Sequence, residues 1–259
     1  MRPNKLFILA AIVFAALLWA FLPPAGSSAQ NIGDTIHTQQ GKKHFPDSPE
    51  IGPAALQKYP IDAKKIAALK KKVYEVTIET DEPYSRCYGS GVVFQSNGRL
   101  VIITVNHILN KNEGQKTITA RDYTGRLFHG KLSRSLERND LAVLEIAEPK
   151  KIRPETVVRS MHKADIDEVI YACGYYYGTS YVKIGRIIGF QTKIETESGF
   201  VYDIIESDAQ IDHGFSGGPV LNEKNELVGI IVATDHDHRS SDFSSSENIN
   251  EILNTELSR

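Results

Sequence analysis

The sequence predicts an all-β domain built as barrels or as a sandwich, and three observations carry that expectation. Short runs rich in Val, Ile, Thr, Tyr and Phe recur from Val73 to Thr234, punctuated by Gly, Asn, Asp and Pro. Helical periodicity is confined to short segments on either side of that stretch. The chain has 259 residues, 41% hydrophobic and 24% charged, which suits one large domain or two lobes with a buried core.

The beginning is a different material. Arg2 and Lys5 precede an apolar run from Leu6 to Leu22, after which Pro23, Pro24 and Gly26 end any helix. Ser27, Ser28 and Ala29 then supply small residues for cleavage before Gln30. Residues 1–29 therefore read as a signal peptide. The 17-residue run leaves a retained membrane anchor as the alternative, a tether through residues 6–22. Both readings put the globular part outside the cytoplasm, secreted or periplasmic. Residues 30–61 are polar and broken by Gly and Pro, the pattern of a linker or arm.

Asp62 can cap a short helix running to about Lys72, with Ile66 and Leu69 on one side and Lys64, Lys65, Lys70, Lys71 and Lys72 solvated. Eleven extended segments follow: Val73–Thr80, Gly91–Gln95, Leu100–Thr104, Lys116–Asp122, Arg126–Ser133, Leu141–Ile146, Glu168–Cys173, Tyr181–Thr192, Val201–Ser207, Pro219–Leu221 and Leu227–Thr234. Ser96, Asn97 and Gly98 form a hairpin turn between the second and third. Ser244 and Glu247 have the spacing of a capping box, opening a final helix over about 245–257 with Ile249, Ile252, Leu253 and Leu257 on one face.

Charge excludes one class of partner. Thirty Lys plus Arg balance 32 Asp plus Glu, without a basic block, so nucleic acid is not expected. Cys87 and Cys173 are the only thiols, and the sequence leaves open whether they pair or stay apart as buried apolar residues.

The chemistry concentrates in GFSGGPV, residues 214 to 220. A serine hydroxyl becomes a nucleophile only with a base beside it, and acyl transfer needs donors aimed at the developing oxyanion. Glycines let the backbone turn sharply enough for amides to converge, so Gly214 and Ser216 are the candidate donors. Taken alone, the segment could equally be a Gly-rich turn. His107, however, follows a nearly continuous apolar strand, and Asp140 stands at the mouth of another. A base on a rigid mount and a carboxylate able to orient it give the three residues one common explanation.

The order His107, Asp140, Ser216, with gaps of 33 and 76 residues, joins the segments GSGVVF, TVNHIL, NDLAVLEI, YACGYYYG, SDAQIDHGFSGGPV and LVGIIVAT. Together these resemble the chymotrypsin-fold, trypsin-like serine proteases, and within them the bacterial HtrA/Deg type, over about Val73 to Leu257. The resemblance implies a protease domain over residues 62–259. It has two six-stranded antiparallel β-barrels, at about 73–150 and 165–240, and the C-terminal helix. It implies an exported endopeptidase that cleaves protein substrates through an acyl-enzyme. Ser216 is then the nucleophile, His107 the base, Asp140 its orienting partner, and the amides of Gly214 and Ser216 the oxyanion hole. No cofactor and no metal are implied.

The resemblance also places Gln210 and Ile211 at the primary specificity pocket, and Ile231, Val232 and Ala233 on the strand that pairs with substrate. With no charge evident at the pocket floor, a small or medium apolar residue is the expected preference. Digestive relatives carry an aspartate where this chain has Phe215, and HtrA-type relatives usually an asparagine. Phe215 cannot form the ion pair of the former, so the ring is expected to hold the loop by packing. Regulation through the PDZ module usual in HtrA/Deg proteins is not expected, since no such module is read after the terminal helix. Asp235 to His238, DHDH, offers too few ligands at a recognisable spacing to predict a metal site. The alternative function is a non-catalytic module that keeps the fold to bind peptides or proteins.

Overall fold

The computed structural model describes residues 62–81, 85–110, 116–194, 201–235 and 240–255. The expected signal and linker, His236 to His238 and Leu257 lie outside them. Among the described residues no helix is long and apolar enough to cross a membrane.

Twelve strands close into two antiparallel six-stranded barrels, in the orders β1-β2-β3-β6-β5-β4 and β10-β11-β12-β9-β8-β7. The first uses β1 (Val73–Thr80), β2 (Arg86–Ser96), β3 (Arg99–Val105), β4 (Lys116–Arg121), β5 (Leu127–Leu136) and β6 (Leu141–Ile146). The second uses β7 (Val169–Tyr176), β8 (Thr179–Ile194), β9 (Val201–Ser207), β10 (Pro219–Leu221), β11 (Leu227–Asp235) and β12 (Ser240–Ser245). Closure pairs every strand with a neighbour on each side over at least part of its length, which limits pairing with other chains. Asn97 and Gly98 take positive φ, 47° and 76°, at the β2–β3 hairpin, as the turn residues require.

The strand missing from the sequence reading is β12. Its sequence, SSDFSS, has one strong apolar residue and reads as a polar loop, yet all six positions are buried. Closure overrides propensity here, because β12 is the only bridge between β11 and β9. Its small side chains fit a crowded wall, and the Ser241 hydroxyl donates to the Ala209 carbonyl. The strand also displaces the predicted cap. Ser244 pairs with Ile230 in the sheet, and the helix α3 (Ser246–Asn254) is capped by Ser245, which accepts from the Asn248 amide at 3.3 Å. Glu247 turns outward to Lys163, at 3.2 Å.

The opening helix, α1 (Ala63–Lys70), is capped as expected by Asp62, whose carboxylate accepts from the Lys64 amide at 2.8 Å. Its lysines are less solvated than the pattern predicted. Lys65, Lys70 and Lys71 lie over the rings of Tyr171, Tyr181 and Tyr123 at 4.2, 5.7 and 5.4 Å. The ammonium groups thus pin α1 across both barrels by their attraction to aromatic faces.

Two apolar clusters fill the interior. One runs from the first barrel through Tyr171, Cys173, Tyr175 and Leu227 into α3, so it also seals the seam between the barrels. The other is confined to the second barrel and is built around Ile170, Phe215, Ile231 and Phe243. Neither cysteine forms a disulfide; Cys173 is buried and Cys87 half-buried.

Candidate active site

Strand pairing brings the first two residues together. β3 and β6 run antiparallel with Val105 opposite Leu141, so the residues just past one end and just before the other must meet. His107 opens the short helix α2 (His107–Asn110), and Asp140 closes a 3-10 turn over Glu137–Asn139. Asp140 adopts a left-handed conformation, φ 51° and ψ 38°, that aspartate tolerates better than most residues. From there its carboxylate reaches His107 twice. Oδ1 accepts from the His107 amide at 2.7 Å and Oδ2 lies 2.5 Å from Nδ1. Its carbonyl accepts from the Asn106 amide at 3.0 Å. A carboxylate at Nδ1 selects the tautomer protonated there and leaves Nε2 with a lone pair.

The serine segment is two consecutive turns. The Phe215 amide donates to the Asp212 carbonyl at 3.2 Å, and the Gly218 amide to the Phe215 carbonyl at 2.8 Å. Each turn has glycine at its third position with positive φ, Gly214 at 90° and Gly217 at 87°. That position of a type II turn favours glycine because a side chain would be strained there. Gly218 meets a different demand, since a Cβ on it would lie 2.0 Å from the Cys173 carbonyl oxygen. Phe215 is fully buried in the second-barrel cluster, its ring against Gly174, where a Cβ would come within 2.3 Å of Cγ. The loop is therefore held by apolar packing, as the sequence suggested. Among the described residues the Gly214 and Ser216 amides donate to no other group, and both stay available.

The two halves meet at Gly89. A Cβ there would lie 2.8 Å from Ile108 Cδ1 and 3.0 Å from the Ser216 carbonyl, so Ser216 and the neighbour of His107 flank one glycine. Among the described residues no hydrogen bond joins His107 to Ser216. Such contacts in unliganded sites commonly tighten only when substrate binds.

The structure redistributes the remaining candidates. Ile231 is fully buried, its amide donates to the Gly218 carbonyl at 3.0 Å and its carbonyl accepts from the Gly217 amide at 2.8 Å. With both main-chain groups engaged, Ile231 supports the serine loop and has none left for substrate. Beyond it, among the described residues, β11 is paired on one side only, by β12, and that open edge carries Val232, half-buried, and Ala233, exposed. Ile211 likewise packs in the second-barrel cluster, while Gln210 is exposed. Tyr176 and Tyr177 are exposed at 39% and 90%, whereas Tyr175 is buried and its hydroxyl is pushed up to about 12, chiefly by burial. Burial likewise raises the Cys173 thiol to about 12, which removes it as a nucleophile. No group of His, Cys, Asp and Glu among the described residues is arranged to hold a metal.

One participant escaped the sequence reading. Ser90, in the GSGVVF segment of β2, donates its amide to the Ser216 carbonyl at 2.7 Å and its hydroxyl to the Gly214 carbonyl at 2.7 Å. A serine between two glycines in a strand was the available signal, but nothing in the sequence tells which backbone it faces.

Comparison with known proteins agrees with this geometry. Residues 89–230 match the model of the trypsin-like peptidase domain. Escherichia coli DegQ, a periplasmic pH-dependent serine endoprotease, is 30% identical over 145 residues, covering 56% of this chain and 31% of DegQ. The serine endoprotease DegS of the same organism is 29% identical over 187 residues, covering 71% of this chain and 50% of DegS. The chain thus spans a third to a half of the length of these relatives. Among solved structures, the active form of the Rv3671c protease from M. tuberculosis superposes with a TM-score of 0.62 at 17% identity, over 82% of this chain and 92% of that one. A serine endoprotease from Yersinia pestis gives 0.58 at 23% identity, over 75% and 66%. The match of more than half its length, the serine segment included, to one family model means that the chain belongs to the trypsin-like peptidases, with HtrA/Deg proteins as its relatives.

Proposed function

We propose that the protein is an exported serine endopeptidase that hydrolyses peptide bonds of protein substrates through an acyl-enzyme. The observation that carries this reading is the double grip of Asp140 on His107, at 2.7 and 2.5 Å, beside a serine loop whose Gly214 and Ser216 amides are unspent. Ser216 Oγ attacks the scissile carbonyl while His107 Nε2 takes its proton. The negative charge arriving on the carbonyl oxygen is met by the two amides, each such donor being worth about 3 to 4 kcal/mol. Protonated His107, stabilised by Asp140, returns the proton to the departing amine; water activated by the same imidazole then splits the ester. Substrate lies extended along Val232 and Ala233, with its side chain entering a pocket bordered by Gln210. These steps need no metal or cofactor.

Export rests on the apolar run Leu6 to Leu22 and on the periplasmic name of DegQ. N-terminal sequencing of the exported chain separates a cleaved signal, starting near Gln30, from a retained anchor. The chemistry is tested with an organophosphonate probe on the full chain. Wild type is expected to gain one covalent adduct and Ser216→Ala none. Absence of any Ser216-dependent adduct overturns catalysis and leaves a peptide-binding module.

A further inference from the structure

We propose that Ser90 is the positioning residue of the oxyanion hole, a first-barrel side chain that sets the second-barrel serine loop in its working shape. This inference rests on the reading of Ser216 as nucleophile.

Ser90 is fully buried, and its amide, hydroxyl and carbonyl are engaged in four hydrogen bonds. Its amide donates to the Ser216 carbonyl at 2.7 Å. Its hydroxyl donates to the Gly214 carbonyl at 2.7 Å and accepts from the Tyr175 amide at 2.9 Å. Its carbonyl accepts from the Thr104 hydroxyl at 2.7 Å, on the strand that leads to His107. One residue thus touches the loop on both sides of Phe215, the strand behind the loop, and the mount of the base.

The main chain of the loop shows what these bonds accomplish. Carbonyls 214 and 216 face Ser90, so the amides across the same peptide planes, Phe215 and Gly217, face away; they bond the Asp212 and Ile231 carbonyls at 3.2 and 2.8 Å. Both planes are held at both ends. The alternate carbonyl, Phe215, is occupied by Gly218, which turns the Ser216 amide the other way. The Ser216 amide, in the plane between the two that are fixed, is left unspent, and the Gly214 amide lies in the preceding plane, inside the turn closed by Phe215 and Asp212. Gly214 at φ 90° has little intrinsic preference of its own, so an external hydrogen bond must choose its orientation. A Cβ on Gly217 would lie 2.1 Å from the Ser90 carbonyl and 2.3 Å from Thr104 Oγ1, so the approach is close enough to leave no room for water.

Ser90→Ala removes the grip on Gly214 and leaves two buried groups, that carbonyl and the Tyr175 amide, without a partner. Because the hole acts on the transition state, kcat is expected to fall on the order of 10- to 100-fold, with KM nearly unchanged. Ser90→Thr keeps the hydroxyl and is expected to recover most of the loss. Tyr74→Phe is the comparator. It deletes another buried hydroxyl bond, Tyr74 to Thr156 at 2.7 Å in the first barrel, and is expected to lower stability without touching kcat.

The experiment measures kcat and KM on a reporter peptide, phosphonate labelling of Ser216 and the folded fraction by circular dichroism for the four full-length proteins. A kcat-specific loss in folded Ser90→Ala, absent from Tyr74→Phe, supports the assignment. Undiminished kcat in Ser90→Ala, or a loss matched by Tyr74→Phe, overturns it while the nucleophile reading stands. If wild type itself takes no label at Ser216, that reading fails first and this one with it.

Discussion

The two barrels serve the site by different means. The first contributes side chains, an imidazole and a carboxylate carried on paired strand ends and joined to each other by their own functional atoms. The second contributes main chain, two turns whose glycines, packing and carbonyl contacts leave the Gly214 and Ser216 amides without an acceptor among the described residues. A side chain can be exchanged without moving the scaffold, whereas main chain moves only with it. Chemistry and stability should therefore separate in the first barrel and travel together in the second.

The largest effect tests the nucleophile that sits between these regimes. Ser216→Ala is expected to lower kcat on the order of 10⁵- to 10⁶-fold in a steady-state assay, with the melting temperature preserved. Next is Asp140→Asn, which isolates charge, because asparagine accepts the left-handed backbone and can still receive the His107 amide. A fall of about 10⁴-fold in kcat with unchanged thermal melting is expected; a collapse of the fold would show the carboxylate to be structural and blur the contrast. In the second barrel Phe215→Ala should cost about 3 to 5 kcal/mol in denaturant unfolding and reduce kcat as well. Gly218→Ala, which drives a methyl into the Cys173 carbonyl, should behave alike. Full stability with lost activity in either variant would break the distinction.

The smallest effect is on the alkaline side. Burial raises Cys173 from 9.0 to about 12, and Tyr74 and Tyr175 from 10.0 to about 12. The unfolded chain releases these protons first, so stability is full below pH 9 and declines as pH rises toward 12. Denaturation midpoints across that range should show the decline, and it should be shallower in Cys173→Val.

How far these features could be read beforehand depends on what their signals are made of. β1, β6, β9 and β10 have the predicted bounds, since each is an apolar or β-branched run between clear breaks. Asp140 and His107 were legible because a polar residue at the mouth of a buried strand stands out. β12 was illegible, as five polar residues around Phe243 acquire their burial from neighbours distant in sequence. Ile231 shows the limit from the other side. Its strand was found, but a register advanced by one residue decides whether its main chain meets substrate or the serine loop. Ser90 carries no local pattern at all; its role exists only across the seam.

If substrate docks at Val232 and Ala233 of β11, as proposed, the unpaired side of that strand has a consequence for which proteins are cut. A polypeptide that docks there must lend several consecutive residues as a free ribbon, and helices or sheets already committed elsewhere cannot do so. On the proposed reading, compact proteins in the same space would be spared until they fray, and the pace of their cleavage would follow how often they come apart.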